Sequence, residues 1–253
     1  MSYLYNTFVY EPLYNGLVFL LSILPHYANA GIAIIIFTIL VKLILFPLSK
    51  ASIKSQIKMK ELQPKMDELK EKYKNNKQEQ SVRIMNLYKD NKLNPFSGIF
   101  LLLIQFPIII ALYTIFAHGG LPSIRTEILY SFVPSVASVD MHFLGINLAE
   151  KSLILALIVA VSQYFQIKLT LPKPKKTTPS LSGKNDMKAD MMHSMQTQMQ
   201  YVLPILIFVI AYPFPPISNV FPHLPAALVL YWVVSNLFMI GQEIFVRRRM
   251  LNK

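Results

Sequence analysis

A single lysine lies inside one of the most apolar stretches of this 253-residue chain. The stretch covers residues 30–48, has the length of a membrane-spanning helix, and contains Lys42 as its only charged side chain. A charge at the centre of a bilayer costs roughly 3 kcal/mol on insertion scales, so such residues usually face a bundle interior or a water-filled cavity. The stretch therefore predicts a membrane protein with a hydrated, positively charged recess.

Composition favours a membrane protein over a soluble domain. Hydrophobic residues make up 53% of the chain and charged residues 15%, and the mean hydropathy is +0.41. These values are too apolar for an ordinary soluble domain of this length. The sequence has no cysteine, its five histidines are scattered, and it lacks nucleophile-elbow, P-loop and HExxH motifs. We therefore expect neither an enzyme nor a cofactor.

Five apolar segments are long enough to cross a membrane. Between them, residues 50–92 contain twelve Lys and Arg and residues 168–188 contain six. The positive-inside rule places both segments and the basic C-terminal tail in the cytoplasm. The predicted fold is all-α, with five transmembrane helices, a cytoplasmic helical hairpin and an N-terminal interfacial helix. Its segments are an interfacial segment (1–29), TM1 (30–49), the hairpin (50–93), TM2 (94–117), an extracytoplasmic segment (118–151), TM3 (152–171), a cytoplasmic basic loop (172–199), TM4 (200–216), an external turn (217–223), TM5 (224–246) and a basic cytoplasmic tail (247–253).

The N-terminal segment, residues 1–29, contains no Lys or Arg and so lacks the positive region of a signal peptide. Its apolar core, residues 17–24, is too short to span. Bulky apolar residues and tyrosines instead predict an amphipathic helix lying in the outer interface. The alternative is a sixth span, which would place the N-terminus in the cytoplasm.

Residues 50–93 are polar, basic and helix-favouring, with apolar residues recurring every three to five positions. This pattern predicts two antiparallel helices joined by a turn near residues 74–77, with a kink or break at Pro64. The hairpin is either a solvated spacer or a docking surface for acidic partners, lipid headgroups or an incoming chain. The candidate partner-binding residues are Lys54, Lys58, Lys60, Arg247, Arg248 and Arg249. Because the positive-inside rule already accounts for the net charge of +12, we do not expect DNA as a partner, although the tail could contact ribosomal RNA.

The polar residues within the spans have two interpretations. Polar side chains in lipid often join helices, at roughly 0.6 kcal/mol per hydrogen bond, and this interpretation stays open for Gln105, Ser235 and Asn236. For Lys42 the alternative is snorkelling, because Lys50 lies only about 12 Å further along a helix. Thr38, four residues away on the same helix face, and glutamines on two other helices instead favour a shared cavity.

Four segments resemble YidC-type membrane protein insertases, the bacterial members of the family that includes the Oxa and Alb proteins. Residues 31–48 (GIAIIIFTILVKLILFPL) are similar to the first core helix of that family, and residues 54–65 (KSQIKMKELQPK) to the start of its cytoplasmic hairpin. Residues 94–113 (NPFSGIFLLLIQFPIIIALY) resemble its second core helix and are the most specific match. Residues 228–236 (LVLYWVVSN) resemble its last helix.

The resemblance implies a five-helix core with a groove that is open to cytoplasm and lipid but closed outside. In that family the position matching Lys42 is typically an arginine that sits in the groove and attracts acidic residues of the substrate. Thr38 and Tyr231 match positions that contact the inserting helix. Lysine keeps the charge but lacks the planar fork that binds a carboxylate through two hydrogen bonds.

We therefore expect a multi-pass cell-membrane insertase and chaperone with a cytoplasmic C-terminus. Hydrophobic transfer of the substrate's apolar segment would drive insertion, so no nucleotide site is required. The expected partners are nascent membrane proteins and the lipid bilayer, with the ribosome and the Sec translocon as further candidates. The expected groove residues are Lys42, Thr38, Gln105, Gln163, Gln166, Tyr231, Trp232 and Ser235. The alternatives are a small transporter or channel with an anion site at Lys42, and a passive scaffold subunit without a groove.

Overall fold

The computed structural model describes residues 3–24, 29–94, 97–118, 120–170, 200–214 and 224–251. The chain divides into two compact units. The first comprises Met1–Leu43 and Phe106–Ile240, and the second comprises Ile44–Gln105 and Gly241–Lys253. The predicted basic loop (172–199) and external turn (217–223) lie outside the described residues.

The first unit begins with a nearly continuous helix. Helix α1 covers Tyr3–Tyr5, a π-helical turn covers Asn6–Tyr10, and α2 covers Glu11–Ile23. One side of α2 is buried, and this side carries Tyr14, Asn15, Leu17, Val18 and Leu20. The helix that the sequence predicted within residues 1–29 is therefore present, and one of its faces packs on protein.

Two adjacent buried side chains attach this helix to the segment around residues 120–130. The Tyr14 hydroxyl donates to the Gly120 carbonyl at 3.2 Å and accepts from the Arg125 N–H at 2.7 Å. The Asn15 side-chain oxygen accepts from the Tyr130 N–H at 2.7 Å. Since buried polar groups are costly unless they are paired, these bonds fix both the position and the rotation of the helix.

The first apolar segment is interrupted. Helix α3 covers Ala30–Ile44, and Leu45 separates it from α4, Phe46–Glu61, which lies in the second unit. The sequence predicted a single helix over residues 30–49, and the structure differs because Pro47 lies in the first turn of α4. A proline at that point has no N–H for an i−4 bond, and its ring crowds the preceding turn.

The second unit contains the predicted helical hairpin. Its first arm is α4 followed by α5 (Gln63–Lys72), and its second arm is α6 (Lys77–Asp90). The break that Pro64 predicted falls at Leu62. The arms pack against each other through the Tyr88 hydroxyl, which lies 2.9 Å from the Met66 sulfur.

The described residues include four further helices with apolar stretches: α7 (Ser97–Ala117), α8 (Leu153–Thr170), α9 (Gln200–Ala211) and α10 (Ala226–Leu251). Within the described ranges, α8 and α10 are long and apolar enough to cross a membrane, and α3 with α4 adds a third crossing if the pair counts as one span. The α7 stretch Leu103–Ala117 and helix α9 are shorter apolar helices. Helix α10 continues past the predicted end of TM5 at residue 246 into the predicted tail.

The exposed side of helix α8 is apolar, unlike that of a helix in water. Its buried side combines Ser162 and Gln163 with apolar residues, and its exposed side is formed by large apolar residues. These exposed residues are Leu153, Ile154, Leu157, Ile158, Val161 and Phe165. A helix in an aqueous protein places its apolar stripe inward, so this pattern indicates that lipid covers the outer face of α8.

A short β-hairpin, which the all-α prediction did not include, lies between α7 and α8. Strand β1 (His142–Phe143) pairs antiparallel with β2 (Ile146–Asn147). The two turn residues, Leu144 and Gly145, have φ values of +49° and +79°. Positive φ at both central residues is the conformation of the tight turn that suits the twist of paired strands.

Candidate functional site

Lys42 is enclosed by protein. Its exposed fraction is 7%, and that of Thr38, one turn earlier on α3, is 0%. The exposed side of α3 carries Ile39, Leu40, Leu43 and Ile44. A lysine that faced lipid or stretched towards the headgroups would be exposed like these neighbours, so the burial argues against snorkelling.

The Thr38 hydroxyl donates to the Ile34 carbonyl one turn back, at 2.6 Å. This local bond uses the proton and leaves the oxygen able to accept a further hydrogen bond. Thr38 can therefore offer an acceptor on the same helix face as the Lys42 ammonium group.

Three predicted groove residues lie on α10. Tyr231 and Ser235 are one turn apart and are 2% and 4% exposed, and Trp232 is half-buried. Their spacing places Tyr231 and Ser235 on the same buried face. This face gives the first half of α10 two buried hydroxyl groups.

Two other predicted groove residues take part in a hydrogen-bond chain along α8. The Asn236 side-chain amide of α10 donates to the Ser162 hydroxyl and to the Gln163 side-chain oxygen, both at 3.0 Å. Gln163 donates to Gln166 at 3.1 Å, and Gln166 donates to Thr170 at 3.4 Å. The joining role that the sequence left open for Asn236 fits this geometry, and the Gln163 oxygen takes part in the same contact between helices.

Gln105, the remaining predicted groove residue, is half-buried in α7. It belongs to the second unit, whereas the other seven predicted groove residues belong to the first unit. Those seven come from three helices: α3, α8 and α10.

The second unit contains a polar cluster that the sequence did not identify as a site. Gln242 donates its side-chain N–H to the Ser49 hydroxyl at 2.9 Å, joining α10 to α4. The next residue of α10, Glu243, is 4% exposed. Its Oε1 accepts from the Arg247 Nε at 2.8 Å and from the Arg247 Nη2 at 2.7 Å. Gln242 and Glu243 were recognised as polar residues of the last span, but their spacing gave no indication of a partner on α4.

The six candidate partner-binding residues fall into two groups. Lys54, Lys58, Arg248 and Arg249 are exposed, whereas Lys60 and Arg247 are half-buried. Burial and then the Arg247 charge lower the pKa of Lys60 to about 8, although the Glu243 carboxylate opposes the shift. Lys60 and Arg247 thus contribute to packing in the second unit, and the exposed four offer charge to solvent.

The apolar outer faces of these helices, with polar side chains buried between them, define a helical membrane protein, and comparisons identify which kind. Residues 22–253 match the profile of the 60Kd inner membrane protein family. The chain is 32% identical over 255 residues to the membrane protein insertase YidC of Fusobacterium nucleatum subsp. nucleatum, covering 98% of this chain and 99% of that one. It is 33% identical to YidC of Cellvibrio japonicus, covering 94% of this chain and 36% of that one.

A solved crystal structure gives the same result. An active YidC insertase with its first transmembrane domain resolved matches with a TM-score of 0.53 and 26% identity, over 92% of this chain and 45% of that one. The chain thus spans nearly the whole Fusobacterium relative but under half of the Cellvibrio protein and of the crystal structure. It belongs to the 60Kd inner membrane protein family, the YidC-type insertases that its motifs resemble, and is an inner membrane protein.

Proposed function

We propose that this chain is a membrane protein insertase and chaperone. It takes nascent membrane proteins into a hydrophilic groove that faces the cytoplasm and releases their transmembrane segments sideways into the bilayer. The observation that carries the proposal is a lysine with 7% exposure on an apolar helix of a protein related to insertases. A protein that needed only stability would gain little from a buried charge at that point.

Lys42 recruits the hydrophilic segment of the substrate. Two unit charges about 4 Å apart attract by roughly 4 kcal/mol at the effective dielectric of a protein surface. An acidic residue in the substrate segment therefore offsets much of the cost of entering the membrane. Lysine acts here as a point charge, so it attracts carboxylates without demanding one orientation.

The other groove residues lower the desolvation cost of the substrate's polar groups. Thr38, Tyr231 and Ser235 supply hydroxyl groups on buried faces of α3 and α10. Trp232 and Gln166, which are half-buried, complete the set within the first unit. The Gln163 oxygen already accepts from Asn236, so Gln163 offers a substrate less hydrogen-bonding capacity than an amide without that bond.

The proposed topology has five spans, with the hairpin and the C-terminal tail in the cytoplasm. The positive-inside rule supports this orientation. The exposed residues Lys54, Lys58, Arg248 and Arg249 then face the cytoplasm, where they can attract a ribosome or an emerging chain. The Sec translocon is the second partner that we propose.

Purified protein in phospholipid vesicles tests this function. Wild type is expected to insert one substrate whose translocated segment is acidic and one whose segment is neutral. Lys42→Arg keeps both activities, whereas Lys42→Glu loses mainly the acidic substrate because the charge interaction becomes repulsive. Lys151→Glu, at an exposed position between the β-hairpin and α8, makes the same change in net charge and should insert both substrates.

Two outcomes count against the proposal in different ways. If Lys42→Glu and Lys42→Arg insert the acidic substrate equally, Lys42 has no charge role. If wild type inserts neither substrate and fails to restore growth in cells depleted of their insertase, the chain is not an insertase.

A further inference from the structure

Residues 140–150, here called the clamp segment, contact the first turns of two helices. The Ala30 N–H, at the start of α3, donates to the Asp140 carbonyl at 2.9 Å. At the start of α10, the Ala226 N–H donates to the Glu150 carbonyl at 2.7 Å, and the Ala227 N–H donates to the Leu148 carbonyl at 2.9 Å. One short segment therefore binds the beginnings of both helices through backbone atoms.

These bonds satisfy groups that a helix leaves open. The first four N–H groups of a helix have no partner within it, and an unpaired buried N–H costs about 1–3 kcal/mol. Ala30, Ala226 and Ala227 are at most 1% exposed, so water does not reach them freely. The clamp segment thus supplies partners that the two helix ends need.

The clamp segment is held in one shape. Strands β1 and β2 pair within it, and the Leu148 N–H donates to the Met141 carbonyl at 2.8 Å. Leu148 is 0% exposed and Met141 is 6% exposed, so the base of the β-hairpin is packed. Because the clamp segment is held by these internal bonds, it sets the distance between the starts of α3 and α10.

Gly31 and Phe143 fix the contact between α3 and the clamp segment. A methyl group at Gly31 would overlap the Phe143 ring and would lie 2.6 Å from its Cβ. Real Cβ atoms do not approach carbon this closely, so any larger residue at Gly31 must displace the clamp segment or α3. The absence of a side chain at Gly31 is what allows the two to pack.

We propose that the clamp segment locks the starting ends of α3 and α10 at a fixed spacing, and that Gly31 is its positioning residue. The inference rests on the proposed function and adds that the substrate leaves along α3 and α10, the helices that carry Lys42, Thr38, Tyr231 and Ser235 on their buried faces. With those ends joined, the helices can separate for lateral release only towards their opposite ends. The clamp segment therefore sets the direction in which the release path opens.

Spin labels on α3 and α10 test the lock, and the absence of native cysteine allows labels at chosen sites. Labels at Leu40 and Leu237, both exposed, report the separation of the helices away from the clamp segment. Gly31→Ala is expected to broaden the distance distribution. It should also lower the initial insertion rate by roughly 2- to 30-fold, the range for substitutions that change coupling without touching substrate.

Three matched variants separate this effect from general damage. Gly241→Ala makes the same substitution where a Cβ would meet no atom within 4 Å, so distances and rate should stay as in wild type. Phe143→Gly removes the ring and the Cβ, so the double variant with Gly31→Ala should recover the narrow distribution and most of the rate. Phe143→Ala keeps the 2.6 Å contact and should rescue less.

The experiments distinguish failure of the proposed lock from failure of the proposed insertase function. An unchanged distance distribution in Gly31→Ala, or equal rescue by Phe143→Ala and Phe143→Gly, overturns the lock even if wild type inserts substrate normally. An inactive wild type with the expected distances overturns the insertase function and leaves the lock standing.

Discussion

Asn236→Ala should destabilise the contact between α8 and α10. The substitution removes two interhelical hydrogen bonds of 3.0 Å from a side chain that is 4% exposed. Such bonds average about 0.6 kcal/mol in membrane proteins and reach about 1.7 kcal/mol, so two are worth about 1–3 kcal/mol. For a protein of this length, that loss lowers the Tm by about 2–12 °C.

Thermal unfolding in detergent micelles measures this loss, with Leu237→Ala as the control. Leu237 is the next residue on α10 and is 56% exposed, so its truncation removes little protein packing. A double-mutant cycle with Gln163→Ala should give a coupling energy of about 0.6 kcal/mol or more. Additive losses, or a Leu237→Ala variant as unstable as Asn236→Ala, would refute the assignment of these bonds as the joint between the helices.

The remaining predictions concern the second unit. Arg247→Ala should cost about 1–3 kcal/mol, below the usual range for breaking a buried pair because the arginine side chain is 35% exposed. The loss arises because Glu243 stays buried without its partner, and an equal loss from exposed Arg248→Ala would contradict this reason. In the folded protein the pKa of Lys60 is lowered to about 8, so between pH 8 and the ordinary pKa of 10.5 the unfolded state binds more protons than the folded state. The free energy of unfolding should therefore rise with pH across this range. A Lys60→Gln variant that shows the same rise in a urea titration would count against this assignment. Deleting residues 55–90 should leave a protein that stays in the membrane but no longer supports growth of insertase-depleted cells, and full rescue would reduce the hairpin to a spacer.

The sequence predicted Lys42 to face inward because the cost of a charge in lipid leaves few other positions. The same reasoning located the apolar helices, since each needs a long run of apolar residues. It also predicted the break before Pro64, where the missing N–H limits the backbone locally. In each case a single residue or a short run carries the physical constraint.

The polar contacts between helices could not be predicted in the same way. Asn236 lies four residues after Trp232, and this spacing defines a helix face but not the neighbour that the face meets. The partners Ser162 and Gln163 are more than seventy positions away in the chain. The break at Leu45 was missed for a related reason, because a proline in a membrane helix is often accommodated when neighbours satisfy the freed carbonyl.

Polar residues in the spans have two uses, joining helices and attracting substrate, and the free energy of burying each residue distinguishes them. Asn236 and Gln163 hydrogen-bond to each other within the protein, so their burial is offset by the bond between them. Lys42 can carry a positive charge, and an opposite charge stabilises a buried cation by an interaction that an amide does not offer. A carboxylate on an inserting chain can therefore stabilise the Lys42 ammonium group more than it stabilises an amide that is already hydrogen-bonded. Recruitment of acidic substrates should therefore depend on Lys42, whereas the stability of the fold depends on Asn236.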